Sequence, residues 1–256
     1  MRQDSRAEFR FYGCLNDFLP PALRQETIPY RFRGRPGIKD PIEALGVPHT
    51  EVELIVVNGR AAGFDHPLAD GQRVAVYPVF QSLDIGDRQA LREKIASVPR
   101  FVLDVNLGKL ARRLRLLGFD SLYRNDYRDA DIAEIAACEQ RIVLTRDRRL
   151  LHAKKIAHGY WVRAVEIGKQ VEEVTRRFAL DGAHQPFTRC LACNGRLLPV
   201  AKADVLDLLE PKTRLYYENF YRCDACGRIY WEGSHVEDMR RRCVGLLGCQ
   251  GVQRTA

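Results

Sequence analysis

The stretch from residue 101 to residue 151 decides the fold, because it holds two apolar runs that each lead to a carboxylate. The first run is Phe101-Val102-Leu103-Asp104, and the second is Ile142-Val143-Leu144-Thr145-Arg146-Asp147. Short apolar runs of this kind are typical of buried strands. Because ligands of open α/β sheets bind at the carboxyl ends of the strands, the stretch predicts an α/β fold with an acidic site at that edge.

A basic amphipathic helix is predicted directly after the first run. Its apolar positions recur at helical spacing and form a core-facing stripe, namely Leu107, Leu110, Ala111, Leu114 and Leu117. Its other faces are expected to carry Lys109, Arg112, Arg113 and Arg115, with Gly118 as the stop. A solvated charged face is the commoner outcome of such a pattern. Beside an acidic site, the same cations are suited to hold a polyphosphate backbone.

A second group of acids lies between the two apolar runs, at Asp126, Asp129 and Asp131. We expect Asp129 to cap a helix from Ala130 to Glu139, and the helix dipole to favour Asp131 in the first turn. Taken singly, each of the three is explained by structure better than by catalysis. If several carboxylates converge with those of the two strand ends, they repel one another unless a cation binds, and Mg²⁺ or Mn²⁺ is the expected cation.

Composition sets the class of partner and the compartment. The chain has 256 residues, a net charge of +8 and a sequence pI near 9.2, which favour a polyanionic partner, most simply nucleic acid. No apolar run is long enough for a membrane span, and the first residues lack the apolar core of a signal peptide. We therefore expect a cytoplasmic protein without a membrane partner, whose eight cysteines are metal ligands or free thiols.

The N-terminal part predicts a small β-rich domain over residues 1–82. Its elements follow the order β-β-α-β-β of a ubiquitin-like β-grasp, and segments 45–48, 57–59 and 70–78 resemble the sulfur-carrier proteins of molybdopterin and thiamine synthesis. Sulfur carriers act through a free C-terminal Gly-Gly, whereas here the last strand continues into another domain. The resemblance therefore implies the fold, and an accessory module that docks RNA, protein or the neighbouring domain.

Two Cys-x-x-Cys pairs mark the C-terminal part: Cys190, Cys193, Cys223 and Cys226. Paired knuckles predict a zinc ribbon, and four thiolates would close the shell of a structural Zn²⁺. A redox dithiol is the alternative. Aromatic residues interleaved with arginines at 214–231 are suited to stacking on single-stranded RNA or to packing the ribbon core. The remaining cysteines, at 14, 138, 243 and 249, are expected to be buried or free thiols.

The motifs of residues 101–104, 107–120, 129–132 and 142–151 together resemble the Mut-seven C-terminal RNase family, a branch of the PIN-like nucleases. The resemblance implies a Rossmann-like sheet with three or four acids that bind one or two divalent metals. By position, Asp104 matches the first acid, Asp147 the acid of the Thr-Arg-Asp motif, and Asp129 or Asp131 the middle one. Glu166 is a candidate for a fourth.

The chemistry implied by this resemblance is metal-assisted hydrolysis of a phosphodiester, with Asp104 and Asp147 on the metal. Basic residues around them would position the strand or stabilise charge, namely Lys109, Arg112, Arg146 and Arg148. Arg148 has the alternative of a surface position at the head of a helix. His235 is a further candidate for a phosphate contact.

The sequence thus predicts a ubiquitin-like domain (1–82), a linker (83–99), a PIN-like nuclease domain (100–185), a zinc ribbon (186–247) and a disordered tail (248–256). The expected function is a metal-dependent ribonuclease, endonucleolytic in type. A non-catalytic RNA-binding or adaptor protein is the alternative, and sulfur transfer is a third possibility. A protein partner is a further expectation for the ubiquitin-like domain.

Overall fold

A computed structural model describes residues 4–78, 91, 98–180 and 182–231. In these residues the chain forms a mixed α/β structure with three sheets of five, four and three strands. We name the parts the N-terminal unit (4–78), the central unit (98–180) and the cysteine unit (182–231). Most of the expected linker, the whole expected tail and His235 lie outside the described residues. Among the described helices, none is both long enough and apolar enough to cross a bilayer.

The N-terminal unit is one mixed sheet with a short helix. Its elements are β1 Ser5–Phe11, β2 Ile28–Phe32, α1 Lys39–Ala44, β3 Val52–Val57, β4 Arg60–Ala62 and β5 Arg73–Pro78. The strand order β2-β1-β5-β3-β4 places β1 and β5 side by side in parallel at the centre. The predicted elements are present, and the sheet has one strand more than predicted. Asn58 and Gly59, at φ of 48° and 83°, turn the chain so that β4 pairs with β3.

The central unit is a four-stranded parallel sheet covered by helices. Its elements are β6 Phe101–Leu103, α2 Gly108–Leu116, β7 Ser121–Leu122, α3 Asp129–Glu139, β8 Ile142–Thr145, β9 Gly159–Trp161 and α4 Ile167–Arg177. The strand order is β7-β6-β8-β9. Side chains of α2 and α4 pack with Phe101 and Leu103 on one face, and those of α3 pack with Val102 and Val143 on the other. The strand order reverses between β6 and β8, so their carboxyl ends form the switch point of the sheet.

The predicted apolar stripe of α2 is confirmed, since all five of its side chains are buried. Arg115 was wrongly predicted to lie on the basic surface. It is 3% exposed, and its guanidinium donates to the backbone carbonyl oxygens of Ser121 (2.8 Å) and Ala192 (2.9 Å). Arginine supplies five donors in a fixed plane, so one buried side chain serves both β7 and the cysteine unit.

The cysteine unit is a three-stranded antiparallel sheet with one α-helix. Its elements are β10 Leu197–Val200, α5 Pro211–Tyr216, β11 Phe220–Cys223 and β12 Ile229–Trp231. Pro211 occupies the first turn of α5, where its missing N–H has no cost. Phe220 is buried, whereas Tyr216 is 71% exposed. The aromatic residues of this unit therefore divide between the core and the surface.

One edge of the parallel sheet is closed by the cysteine unit. The backbone N–H of Ser121, in edge strand β7, donates to Asn194 Oδ1 at 2.8 Å, and Asn194 Nδ2 donates to Asp120 Oδ1 at 2.8 Å. Asp120 also accepts from the buried Arg141 at 2.6 Å. Burial raises the pKa of Asp120, but the hydrogen bonds from Arg141 and Asn194 outweigh it and bring the pKa below its usual value. An ionised carboxylate therefore anchors this edge.

The other edge is closed by the N-terminal unit. The backbone N–H of Trp161, in edge strand β9, donates to Glu51 Oε1 at 2.7 Å, and Glu51 is only 1% exposed. The second oxygen of Glu51 lies 3.8 Å from the Arg163 guanidinium. Edge strands present unpaired backbone groups, and here an acceptor from another unit satisfies one of them.

The substitution Glu51→Ala is predicted to destabilise the whole chain. It leaves the Trp161 N–H and part of the Arg163 charge without their partner in a buried place, at a cost of about 2–4 kcal/mol in the free energy of unfolding. Urea denaturation followed by tryptophan fluorescence measures this change. The matched control is Glu53→Ala in β3, because the Glu53 side chain makes no hydrogen bond or ion pair with the described residues. Equal unfolding midpoints for the two variants would contradict the assignment.

Candidate active site and cysteine cluster

Two of the predicted acids meet at the switch point of the central sheet. Asp104 follows the last residue of β6, and Asp147 follows β8 by two residues. The strands are parallel neighbours with Leu103 opposite Leu144, so the two carboxylates extend from the same sheet edge. Both carboxylates therefore lie at the sheet edge that the two apolar runs predict.

Thr145 links the two acids. Its hydroxyl donates to Asp104 Oδ2 at 2.9 Å and accepts the backbone N–H of Asp147 at 2.8 Å. Thr145 is fully buried, so this hydroxyl is a fixed part of the site. Sequence analysis did not assign it a role. The feature of the sequence that indicates Thr145 is a polar residue at the end of an otherwise apolar strand.

The Asp104 carboxylate is only partly satisfied by the protein. The residue is 4% exposed, and Oδ2 receives the Thr145 hydroxyl and, at 3.4 Å, the Asn106 side-chain amide. Oδ1 makes no hydrogen bond with the described residues, and it is not among their fully buried unpaired atoms. Oδ1 is therefore reached by solvent and is the oxygen with which Asp104 can bind a ligand.

Asp147 is held from its other side. Its Oδ1 accepts the backbone N–H of Arg149 at 2.8 Å, and the side chain is 44% exposed. The carboxylate thus has a fixed position and access to solvent. Asp104 and Asp147 thus each place a carboxylate at this edge, and carboxylate oxygens are ligands that Mg²⁺ and Mn²⁺ prefer.

The acids of the middle group are arranged differently from each other. Helix α3 begins at Asp129, and Arg128 is its cap, so the prediction that Asp129 caps the helix is wrong. The Arg128 backbone N–H donates to Asp131 Oδ2 at 3.0 Å, and its guanidinium also binds this carboxylate. These hydrogen bonds lower the pKa of Asp131. Asp126 is paired with Arg124 at 2.7 Å. Asp129 is exposed and has no such partner among the described residues.

The expected convergence of three carboxylates is not present in the described residues. Only the four cysteines there form a group of three or more ligating side chains within 4.8 Å of one another. Glu166, the candidate fourth acid, precedes α4 with its side chain 76% exposed, and lies 3.7 Å from Lys169. The structure thus brings Asp104 and Asp147 to one edge, and Asp129, Asp131 and Glu166 lie at helix starts.

The predicted basic residues fall into two groups, since one of the four packs against an aromatic ring. Lys109 and Arg112 are exposed on α2, and Arg146 is exposed between Thr145, the last residue of β8, and Asp147. Arg148 has a structural contact, since its guanidinium carbon lies 3.8 Å from the centre of the Trp161 ring. Its charge faces the aromatic ring, a favourable cation–π arrangement. Arg148 thus contributes to packing beside the site.

The four predicted cysteines lie together in the cysteine unit. Cys193 Sγ lies 3.4 Å from Cys223 Sγ, and Cys190 Sγ lies 3.6 Å from Cys226 Sγ. A side chain at Gly195 would bring its Cβ within 2.7 Å of Cys223 Sγ, so only glycine leaves room for the cluster. Four such thiols could hold one zinc ion in a closed tetrahedral shell.

These features define a class of protein: an α/β unit with paired carboxylates at its switch point, preceded by a mixed β-sheet unit and followed by a four-cysteine unit. The chain belongs to the Mut7-C family. The family described as "Mut7-C RNAse domain" matches residues 99–243, which is more than half of the chain. The family described as "Mut7-C ubiquitin" matches residues 4–84, so the N-terminal unit is ubiquitin-like. The family resemblance drawn from the sequence is confirmed, with both parts in the expected order.

Among solved structures, the chain is similar to "Solution structure of the Haloferax volcanii HVO 2177 protein". The identity is 21% and the TM-score is 0.25, over 32% of this chain and 88% of that chain. No curated protein matches the sequence.

Zinc binding is predicted to require the clustered cysteines and no other thiol. The purified chain should carry about one zinc ion, and Cys193→Ser should lose most of it, since three thiolates bind Zn²⁺ more weakly than four. Metal analysis after gel filtration measures the content. Cys138→Ser is the control, because Cys138 is an exposed free cysteine of α3 outside the cluster. Equal zinc in both variants, or none in the wild type, would contradict the prediction.

Proposed function

We propose that the chain is a metal-dependent ribonuclease that hydrolyses RNA phosphodiester bonds internally, at the edge of the central sheet. The observation that carries the proposal is the pair Asp104 and Asp147, joined through the Thr145 hydroxyl at the switch point. The family description "Mut7-C RNAse domain" and the net charge of +8 support RNA as the substrate. We further propose that the central unit has a PIN-like fold and that the cysteine unit is a zinc ribbon.

The donor set fits Mg²⁺ or Mn²⁺. Magnesium ions in nucleotide sites bind one or two carboxylates, keep several waters and take the remaining ligands from substrate phosphates. Asp104, through its solvent-reached Oδ1, and Asp147 would hold the cation. When bound, the cation supplies Lewis-acid stabilisation of charge on the phosphate.

The other residues of the site orient the two acids and bind the RNA phosphates. Thr145 keeps the carboxylate of Asp104 and the backbone of Asp147 in a fixed relation, so that little reorganisation is needed when substrate binds. Lys109, Arg112 and Arg146, all exposed, are proposed to bind the RNA phosphates next to the acids. Asp129 is proposed as the middle acid, because the Asp131 carboxylate is engaged by Arg128.

The alternative is a non-catalytic RNA-binding or adaptor protein. The exposed Tyr216 of the cysteine unit favours some contact with bases in either case. The partly satisfied carboxylate of Asp104 favours the enzyme, because an RNA-binding surface gains nothing from acids that repel phosphate. A protein partner for the ubiquitin-like unit stays a prediction.

Cleavage of labelled single-stranded and structured RNA, with DNA alongside, tests the proposal in Mn²⁺, Mg²⁺ or EDTA. Wild type is expected to cut RNA internally only when metal is added. Asp104→Asn and Asp147→Asn should each lower the rate by about a hundredfold or more, since the site loses a cation ligand. The control Asp40→Asn, in the first turn of α1, should cleave as wild type does. Tight RNA binding without cleavage in any metal would favour the adaptor instead.

The two acids of α3 are predicted to separate into a functional and a structural residue. Asp129→Asn should lower the cleavage rate by about tenfold or more and change the melting temperature by less than Asp131→Asn does, since the Asp129 side chain makes no hydrogen bond with the described residues. Asp131→Asn should lower the melting temperature, because the Arg128 backbone N–H loses its charged acceptor, and should leave cleavage close to wild type. Circular dichroism and the same RNA assay measure both effects. The opposite pattern would make Asp131 the middle acid.

A further inference from the structure

The N-terminal unit contacts the segment that carries Asp147. This segment, residues 146–156, leaves β8, passes Asp147 and Arg148, and forms a single 3₁₀ turn, Leu150–His152, before it reaches β9. Its own hydrogen bonds are few and local, for example Leu151 N–H to the Arg148 carbonyl at 3.3 Å. A short irregular segment of this kind needs contacts from outside to keep one conformation.

The first outside contact is an aromatic clamp on Arg148. Its guanidinium carbon lies 3.8 Å from the centre of the Trp161 ring and 5.5 Å from that of Phe18, and the two rings are 5.3 Å apart. Phe18 belongs to the N-terminal unit and is 6% exposed, so its position is fixed by the core of that unit. Because Arg148 follows Asp147 directly, the clamp fixes the backbone that carries the acid.

The second contact lies at the far end of the segment. His49 Nε2 is 3.0 Å from the Ile156 carbonyl oxygen, and the Thr50 hydroxyl donates to the Leu151 carbonyl at 3.4 Å. Both residues are buried. At the neighbouring Gly159, a Cβ would lie 2.6 Å from a Leu151 methyl and 3.4 Å from Thr50 Cβ, so the units are in close contact.

A third set of contacts holds the clamp itself. Arg163, just after β9, donates to Asp17 Oδ2 at 2.9 Å and to the Trp161 carbonyl at 2.9 Å. Its guanidinium carbon also lies 4.9 Å from the Trp161 ring centre. Arg163 thus links Trp161 to Asp17 of the N-terminal unit, and Glu51 of the same unit accepts the Trp161 N–H.

We propose that the N-terminal unit, which is ubiquitin-like, is a positioning element of the candidate active site. It holds the Asp147 segment in its binding geometry through Phe18, Trp161 and Arg148. The inference rests on the proposed function only for the consequence in catalysis; the positioning itself is a property of the chain without substrate. The face of the ubiquitin-like unit around Phe18 and Glu51 is then committed to its own chain and is not available to a protein partner.

The test compares Phe18→Leu with Tyr30→Leu in the full, zinc-loaded chain. Tyr30 packs against the same core but lies on β2, the outer strand of that sheet, with its ring 5.7 Å from Phe9. Both variants therefore remove one ring from one core, and only the first removes it from the clamp. Hydrogen–deuterium exchange of residues 147–153 is measured without RNA, and kcat and KM are measured with RNA.

Phe18→Leu is expected to raise exchange in residues 147–153 by about tenfold, and Tyr30→Leu to leave it unchanged. The kcat should fall by about tenfold in Phe18→Leu with KM within about twofold, because Asp147 is misplaced while the phosphate-binding cations are intact. Phe18→Trp should restore both quantities, since it returns an aromatic face. If Phe18→Leu does not fold, Asp17→Asn replaces it, with Asp4→Asn, paired with Arg33 on the surface of the same unit, as its control.

Equal exchange in the two leucine variants would overturn the positioning role, and raised exchange with an unchanged kcat would overturn its consequence in catalysis. Raised exchange in Phe18→Leu alone, in a chain whose wild type cleaves no RNA in any metal, would support positioning and reject the ribonuclease. The two proposals therefore fail by different measurements.

Discussion

The closure of both edges of the central sheet is the constraint on which the rest of the structure depends. Trp161 N–H donates to Glu51 on one side, and Ser121 N–H donates to Asn194 on the other. The four strands between these edges have only two to four residues each. A sheet so short buries little apolar surface by itself, so the flanking units supply part of its stability. The acids at its carboxyl edge depend on that support, because their geometry is set by strands β6 and β8.

The fold could be predicted from the sequence where local pattern determines it. The stripe of α2 is buried throughout because a 3.6-residue period places its leucines on one face of the helix, and that face packs against the core. Arg115 departs from the pattern. Its position on the helix did not distinguish a solvated cation from a buried one, since the groups that satisfy it lie up to 77 residues away in the chain. The cap of α3 also shifted by one residue, because the Asp131 carboxylate, three residues into the helix, binds the Arg128 N–H.

The candidate site could likewise be predicted where a local pattern marks its residues. Asp104 and Asp147 were found because each follows an apolar run, and parallel strands place such residues at one edge. The four cysteines were found because their spacing is itself the signal. Neither rule applies to the contacts across the edge strands. Glu51 and Trp161 are 110 residues apart, and each alone has the pattern of an ordinary strand-end acid or core aromatic. Only the docked arrangement gives them a function, so sequence could predict the units and not how they meet.

The incomplete satisfaction of Asp104 connects the fold to its chemistry. A carboxylate that is 4% exposed normally needs charged or multiple donors, because its desolvation is costly. Here one hydroxyl at 2.9 Å and one amide at 3.4 Å serve a single oxygen. Lys109, Arg112 and Arg146 are exposed, and in the described part of the chain no basic residue makes an ion pair with Asp104. A site that served only structure would have gained from an arginine at this position, as Asp120 gains from Arg141 in the same sheet. The contrast between these two aspartates, one fully paired and one left open to solvent, is therefore the main support for the proposed cation site at this edge.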